Sequence, residues 1–339
     1  MKKVLNYIIL IGLLGLTSWI LIYNNDFSNF PQLISKTNKF FLLWAFSCMV
    51  LFWICDTYII HKMRKTLNIK GPFRSSFTLV MIGQYYSAIT PFATGGQPAQ
   101  IYSLVNQGVQ LGVASSLMIT KFLIYQLVVT FYSIFMFIIK FNFLVKEAKF
   151  FLPFIMIGCL LNFFALLIII GFFFNEKLIK KIFYKCFTVA YKLKLIKDIK
   201  KYKNRLNSYL MDFAMSINSM REDKKTASVL ILVTFLQLTF YFSITYFVYL
   251  AVGLDKVLYL DIIAIQSLHY MAVSFMPTPG SVGAAEGGFY MLYKSIFPTY
   301  ILTFAMLLWR FIDYYFGILM GGFFTLVNFI QKKSKKTKN

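Results

Sequence analysis

Charged residues are scarce in this sequence, and acidic ones are the scarcest. Only 14% of the 339 residues are charged, with 12 Asp and Glu against 35 Lys and Arg. Soluble domains have about a quarter of their residues charged, so this composition argues against a soluble fold. The 2 His and 4 Cys show no paired spacing of a metal or redox motif. We therefore predict no metal site and no cofactor, and no nucleotide-binding loop indicates ATP-driven chemistry.

Long apolar runs are what the sequence has instead, since 59% of the residues are hydrophobic. Six runs come close to the roughly 20 residues that cross a hydrocarbon core. They cover about 4–23, 39–60, 115–139, 151–174, 226–251 and 299–330. The first has the basic start of a signal peptide, but it is too long and lacks a small-residue cleavage site before Asn24. We interpret it as a retained span, and predict an all-α polytopic membrane protein with about six full spans.

The basic residues are concentrated in alternate connections between these spans. They lie in Lys2–Lys3, Lys62–Arg74, Lys177–Lys225 and Lys332–Lys338. By the positive-inside rule these segments face the cytoplasm. The pattern predicts a multi-pass protein of the cell membrane with cytoplasmic N- and C-termini. The net charge of +23 then indicates topology and attraction to anionic lipid. We expect no nucleic-acid partner.

Two segments must begin and end on the same side of the membrane if the basic segments face the cytoplasm. Residues 76–113 begin and end inside, whereas residues 258–297 begin and end outside. Irregular backbone interrupts both segments, at Pro91, Gly95 and Gly96 in the first and at Pro277, Pro279, Gly280 and Gly283 in the second. Interrupted hairpins in corresponding positions of two halves are typical of an inverted repeat with a binding site at the bilayer midplane. The alternative is that these breaks are only turns with no role in transport.

The whole chain, 1–339, is predicted to be a single membrane domain. Its first half covers about 1–174, a basic cytoplasmic loop about 175–225, the second half about 226–331 and a basic tail 332–339. Within the loop, basic and apolar residues alternate at near-helical spacing, which predicts an amphipathic cytoplasmic helix over 177–196.

Ionisable residues within the spans are candidates for function because each costs about 2.5–3.5 kcal/mol at the membrane centre. Arg310 and Asp313 lie three residues apart and are predicted to pair on one helix face. Alternatively, the planar guanidinium of Arg310 binds a lipid phosphate. Glu286 follows the glycine break of the second hairpin, where it either caps a helix or meets a cationic headgroup.

Asp56 and Lys121 lie toward the cytoplasmic ends of their spans, where they either snorkel to the surface or take part in function. His269 has no visible carboxylate partner, which favours a packed, hydrogen-bonded side chain over a proton relay. The first hairpin contributes uncharged hydrogen-bonding groups. The candidate substrate-binding residues are Arg310, Glu286, Asp313, Lys121, Gln97, Gln100 and Thr94, and we predict no catalytic residue.

Three ordered motifs in these segments resemble one known family. They are Thr90-Pro-Phe-Ala-Thr-Gly-Gly-Gln-Pro-Ala-Gln-Ile-Tyr102, Pro277-Thr-Pro-Gly-Ser-Val-Gly-Ala-Ala-Glu286, and Leu308-Trp-Arg310 followed by Gly317. The sequence is similar to the membrane domain of lysylphosphatidylglycerol synthases, which also occurs alone in flippase-like proteins. Gln97 and Gln100 stand where many relatives carry Glu and Arg.

The resemblance implies translocation of membrane lipid, typically lysyl-phosphatidylglycerol, between leaflets, and hence resistance to cationic antimicrobial peptides. Full-length synthases carry a further cytosolic domain that takes lysine from its transfer RNA, and this sequence ends soon after its last span. We therefore do not expect lysyl transfer by this chain alone. Two alternatives remain: a phosphatidylglycerol lysyltransferase acting with a separate synthase domain, and a non-transporting scaffold for envelope enzymes. The implied partners are membrane phospholipid, a second copy of the chain and that synthase domain.

Overall fold

The computed structural model describes residues 30–147, 199–274 and 276–336, together with scattered positions between 153 and 188. The predicted span 4–23 lies outside the described residues. Most of the span 151–174 and of the predicted amphipathic helix 177–196 also lies outside them. The described residues are helical, without a strand. This confirms the predicted all-α class.

The first half of the fold contains six helices. These are α1 (Phe30–Lys36), α2 (Lys39–Thr66), α3 (Phe73–Ala88), α4 (Gly96–Val105), α5 (Leu111–Ile139) and α6 (Phe141–Glu147). A short 3₁₀ turn, Pro91–Ala93, joins α3 to α4 and is called tip 1. We call α3, tip 1 and α4 hairpin 1. Hairpin 1 ends with α4 at Val105. The predicted end of this segment at Val113 was wrong, because Val113 lies inside α5.

The second half repeats this order. It contains α7 (Ile199–Glu222), α8 (Lys224–Ala251), α9 (Tyr259–Val273), α10 (Ala284–Tyr293), α11 (Thr299–Arg310) and α12 (Phe316–Lys336). Tip 2, the 3₁₀ turn Pro279–Ser281, joins α9 to α10 and completes hairpin 2. A π-helical turn, Phe311–Tyr315, connects α11 to α12.

Four helices are long and apolar enough to cross a membrane. They are Lys39–Thr66, Leu111–Ile139, Lys224–Ala251 and the continuous helix Thr299–Gln331. They correspond to four of the predicted spans. Large apolar side chains such as Leu43, Phe131 and Leu232 remain exposed on their outer faces. Such faces suit contact with lipid tails, because a hydrocarbon solvent does not penalise exposed apolar surface.

The two halves form a repeat that can be followed residue by residue. The same interval of 188 residues separates Pro91 from Pro279, Gly96 from Ala284 and Leu111 from Thr299. Both tips begin with an extended threonine before the proline and continue with two residues of positive φ. The short sequence likeness between the two breaks therefore reflects one backbone conformation used twice.

The repeat is inverted because its two central helices, α2 and α8, run antiparallel. At one end the backbone N–H of Asn38, which precedes α2, donates to the carbonyl of Ala251 at the end of α8, over 2.8 Å. At the other end Asp223, which precedes α8, feels the charge of Lys62 near the end of α2. Hairpin 1 follows the end of α2 and hairpin 2 follows the end of α8. The hairpins therefore enter from opposite ends of the helix pair, as predicted.

Each half also closes on the hairpin of the other half. Helix α5 packs on α9, and α12 packs on α3 in the corresponding way. The close approach of α12 depends on Gly321, where an added Cβ would lie 2.9 Å from the carbonyl oxygen of Met81. Helix α7, from the second part of the basic loop, packs along α5. This arrangement brings the two tips into contact with each other.

Candidate functional site

The tips of the two hairpins contact each other, and a group of largely buried charges lies at their meeting point. The hydroxyl of Tyr314, in the π-helical turn, donates to the carbonyl of Ala88 at the end of α3 over 3.0 Å. This bond ties the last long helix of the second half to hairpin 1. Residues from both halves therefore build one site.

Arg310 lies at the centre of this site with only 4% of its side chain exposed. Its Nε donates to Oε1 of Glu286 over 2.7 Å, and Nη1 donates to Oδ2 of Asp313 over 3.2 Å. Its Nη2 donates to the carbonyl oxygen of Gly280 in tip 2 over 2.5 Å. We call these four residues the arginine cluster. The predicted pair with Asp313 is present, but Glu286 is the closer partner.

Glu286 does two things at once. Its second oxygen, Oε2, accepts from the backbone N–H of Gly283 over 2.6 Å and so caps the start of α10. Its first oxygen binds Arg310. The carboxylate therefore caps a helix, as one interpretation of the sequence had it, and it also pairs with a buried cation from a neighbouring helix. Contact with a cationic headgroup stays a prediction.

The π-helical turn places Asp313 and Tyr314 around the guanidinium. The Tyr314 ring lies with its centroid 4.3 Å from the guanidinium carbon of Arg310, a cation–π distance. A π-helical turn inserts one extra residue per turn and is frequent at functional sites. Here it lets two residues close in sequence to Arg310 both contact it.

Gly280 is required by this geometry. Its φ of +59° is one that L side chains rarely adopt, and an added Cβ would overlap the ring of Tyr314. The same backbone turn directs the Gly280 carbonyl at Arg310. Gly280 is therefore needed for the backbone conformation of tip 2, for the close packing of Tyr314 and for the hydrogen bond to Arg310.

Two adjoining cavities lie beside the tips. Cavity 1, about 230 Å³, is bounded by Arg310, Asp313, Gly280, His269, Gln266 and Tyr314 among others. Cavity 2, about 270 Å³, is bounded by Asp56, Lys121, Gln97, Gln100 and Gln237 among others. Gln84, Tyr241, Tyr270 and Asp313 line both and form their common wall. The charged and amide side chains in the walls of these cavities can hold a hydrophilic group.

Asp56 and Lys121 pair across cavity 2. The Lys121 Nζ lies 2.7 Å from Oδ1 and 2.8 Å from Oδ2 of Asp56, joining α5 to α2. Of the two alternatives for these residues, the structure shows a pair inside the bundle instead of snorkelling to the surface, and a part in function stays a prediction. Since both side chains are largely buried, pairing replaces the solvation that the surface would have provided.

The uncharged candidates of hairpin 1 occupy different places. Gln97 and Gln100 line cavity 2. The amide of Gln100 also donates to the carbonyl of Leu79 over 3.1 Å, so it holds the two arms of hairpin 1 together. Thr94 is exposed and does not line either cavity, and its hydroxyl donates to the carbonyl of Pro91 within the tip.

His269 is the residue that sequence reasoning undervalued. It lies on α9, 1% exposed, and borders cavity 1. The backbone of Ala285 lies beside the ring, but neither ring nitrogen makes a hydrogen bond of normal geometry to the described residues. The ring is packed, as expected, against Trp309 and beside the backbone of Ala285. A histidine in an apolar helix at the depth of the hairpin tips was the available signal.

The part of the chain that the structure describes contains no obvious set of metal ligands. No three His, Cys, Asp or Glu side chains there are grouped as a metal would need. The free cysteines Cys48 and Cys55 both lie on α2. What the arrangement offers is a set of buried charges and amides suited to holding a polar group.

Comparison with known proteins finds that the chain is similar to membrane proteins. Residues 4–321 match the family described as lysylphosphatidylglycerol synthase TM region. A UPF0104 membrane protein of Archaeoglobus fulgidus is 28% identical over 311 residues, which cover 91% of this chain and 92% of that protein. The match includes both hairpins and the arginine cluster.

Proposed function

The chain belongs to the lysylphosphatidylglycerol synthase TM region family, and from that premise we propose that it translocates phospholipid between the leaflets of the cell membrane. The polar headgroup would cross through the two cavities at the hairpin tips. The acyl tails would stay in the hydrocarbon along the apolar outer faces of the helices.

The observation that carries this proposal is the pair of adjoining cavities between the repeats, with charged and amide side chains in their walls. Ionisable side chains within a membrane protein cost free energy, and where they occur they pair with one another and mark substrate pathways. Cavities 1 and 2 lie side by side and contain Arg310, Asp313, Asp56 and Lys121. Inverted repeats with interrupted helices meeting near the midplane are the architecture of alternating-access transporters.

The orientation that we propose follows from the basic residues. Lys62, Arg64, Lys65, Lys70, Arg74, Lys224 and Lys225 lie at the end of the helix pair where hairpin 1 begins. The positive-inside rule assigns that end to the cytoplasm. Anionic lipid would be attracted there by about 1 kcal/mol per basic residue near the surface.

The lipid that the family suggests is lysyl-phosphatidylglycerol or a related phospholipid. Moving a cationic lipid to the outer leaflet would reduce the negative surface charge that cationic antimicrobial peptides need. Resistance to such peptides is therefore the proposed physiological outcome.

The test is leaflet exchange in vesicles reconstituted with purified protein. Arg310→Met alone leaves two buried carboxylates without their cation, which typically costs about 3–5 kcal/mol, so this variant is a poor test. The triple variant R310M/E286Q/D313N removes all three charges at nearly constant volume, so it leaves no buried charge without a partner. We expect it to insert and unfold at the parent temperature but to move no lipid.

The matched control is the double variant K140M/D261N, which removes both charges of the Lys140–Asp261 pair between α5 and α9, outside both cavities. It should exchange lipid at the parent rate. Failure of the parent protein to move any phospholipid would reject the proposal. Synthesis of lysylated lipid from lysyl-tRNA and phosphatidylglycerol by the purified chain would identify a lysyltransferase instead.

A further inference from the structure

Three carboxylates and two cations surround the two cavities. Asp56, Asp313, Arg310 and Lys121 line them, and Glu286 contacts Arg310. Among the described residues, no further Asp, Glu, Lys or Arg lines either cavity. If all five groups were ionised, one carboxylate would have no cation of its own. A buried charge without a partner is costly, and such a group is neutralised by a proton instead.

The contacts of the three carboxylates single out Asp313 as the one that takes the proton. Both oxygens of Glu286 accept short bonds, one from Arg310 over 2.7 Å and one from the backbone at the start of α10 over 2.6 Å. Both oxygens of Asp56 lie close to the Lys121 Nζ, at 2.7 and 2.8 Å. Asp313 contacts a cation through one oxygen, with Oδ2 3.2 Å from Nη1 of Arg310. That distance exceeds the roughly 2.7–2.9 Å of charge-assisted bonds, so a proton disturbs the least at Asp313.

Arg310 does not depend on the charge of Asp313. Its Nε keeps the bond to Glu286, and its Nη2 keeps the bond to the carbonyl oxygen of Gly280. The ring of Tyr314 also stays against the guanidinium. A proton on Asp313 therefore leaves no buried cation without a partner.

Asp313 is also placed between the two cavities, in their common wall. Cavity 1 borders both arms of hairpin 2 at His269 and Ala285. Cavity 2 borders both arms of hairpin 1 at Gly83 and Gln100. Because the hairpins enter from opposite ends of the helix pair, a carboxyl group between them can exchange a proton with either side.

The other groups that face Asp313 limit what else could carry the proton. They are Arg310 and Tyr314 from its own helix, Tyr241 from α8, Tyr270 and His269 from α9, and Glu286 from α10. Asp56 and Lys121 face it across cavity 2, and hairpin 1 contributes only uncharged side chains to the cavity walls. An ordinary tyrosine hydroxyl titrates near about pH 10, which leaves the acids and one imidazole. The measurement must therefore distinguish a carboxylic acid from a histidine.

We propose that Asp313 takes up and releases one proton in each transport cycle, so that lipid movement is coupled to proton movement across the membrane. The inference rests on the proposed function and supplies its source of energy. The proton binds Asp313 from one cavity and leaves it to the other. The remaining charges keep their partners in both states.

Infrared difference spectroscopy of the purified protein tests the proton directly. A neutral carboxylic acid gives a carbonyl band that neither a carboxylate nor an imidazole gives. At neutral pH, where ordinary Asp and Glu are ionised, we expect this band in the parent and its loss in Asp313→Asn. The double variant K140M/D261N, which removes an acid outside both cavities, should keep the band. A parent without the band, or an unchanged band in Asp313→Asn, would overturn the proposal.

A second variant keeps the acid and changes only its surroundings. The hydroxyl of Tyr241 is a hydrogen-bond partner of the Asp313 carboxylate. Tyr241→Phe removes that hydroxyl, so the band should persist but disappear at a different pH than in the parent. An identical pH profile in the two proteins would contradict the assignment of the band to Asp313.

Vesicles with an imposed pH gradient test the coupling. They contain purified protein and a trace of labelled phosphatidylglycerol or lysyl-phosphatidylglycerol, with the membrane potential held at zero, and protein-free vesicles give the background. At one proton per lipid, one pH unit supports up to about tenfold enrichment of the labelled lipid in one leaflet. We expect such enrichment with the parent and with K140M/D261N, and none with Asp313→Asn. Enrichment by Asp313→Asn equal to that of the parent would reject the role of this residue.

This proposal and translocation fail in different ways. Lipid exchange by the parent that gives equal leaflets whatever the gradient would retain translocation and reject proton coupling. An infrared band from Asp313 without any lipid exchange would reject translocation, and the coupling with it.

Discussion

The role of Arg310 depends on the groups that its guanidinium contacts. In sequence it is a guanidinium available to a phosphate. In the structure it is enclosed by Glu286, Asp313 and the carbonyl of Gly280. A guanidinium that bridges tip 2, α10 and the π-helical turn organises the site.

Gly280 offers a test of this organisation at the residue scale. Gly280→Ala should lower the unfolding temperature markedly, because the left-handed conformation costs a residue with a Cβ about 1–2 kcal/mol and the methyl also meets Tyr314. The matched control is Gly287→Ala in α10, where an added Cβ meets nothing within 4 Å. That variant should be neutral or slightly stabilised, since alanine is favoured over glycine inside a helix. Thermal unfolding in detergent compares them, and similar losses in both would contradict this account of tip 2.

At the scale of single elements, the two central helices begin with caps of different chemistry. The side chain of Asn38 accepts from the N–H of Phe40 at the start of α2. The carboxylate of Asp223 accepts from the N–H of Thr226 at the start of α8. Of these two corresponding helices, α2 therefore has a neutral cap and α8 has a titratable one.

This difference predicts that the stabilisation by the cap depends on pH for α8 and not for α2. The hydrogen bonds from Thr226, with the nearby charges of Lys62 and Lys225, hold the pKa of Asp223 below its usual range. A group with a depressed folded-state pKa stabilises above its unfolded pKa, and the effect is lost as the pH falls through the folded value. The unfolding-temperature difference between parent and Asp223→Ala should thus shrink from about pH 6 to about pH 3. The difference for Asn38→Ala should stay constant, and a parallel fall for both would contradict the prediction.

At the scale of the whole molecule, the inverted repeat determines which connections share a side of the membrane. The connection between α2 and hairpin 1 contains Lys70, and the connection between α8 and hairpin 2 contains Lys256. Because α2 and α8 are antiparallel, these connections lie at opposite ends of the bundle. The membrane-facing surface between them is apolar.

Site-directed labelling tests this topology. Lys70→Cys and Lys256→Cys are placed singly in a chain whose four native cysteines, Cys48, Cys55, Cys159 and Cys186, are replaced by serine or alanine. A membrane-impermeant maleimide should label position 256 in intact cells and position 70 only after the membrane is opened. Labelling of both positions from the same side would contradict opposed hairpins.

The sequence by itself determined the features that depend on local composition. Span length, the positions of basic residues and the proline–glycine breaks are properties of short segments, and each was predicted before any contact was known. The four described spans and both hairpins follow from them. Even the internal likeness at the tips was visible, because a strained turn requires particular residues in order.

Tertiary structure alone decided which of these segments meet and which side chains pair. Lys121 and Asp56 are 65 residues apart, and Arg310 and Glu286 are 24 apart. A helix that is apolar all round gives no periodic signal of its buried face, so sequence cannot tell which residue on one span faces which on another. The packing of His269 against Trp309 is likewise a property of its neighbours. Side-chain pairs and cavity shape arise only when the two inverted halves close on each other's hairpins.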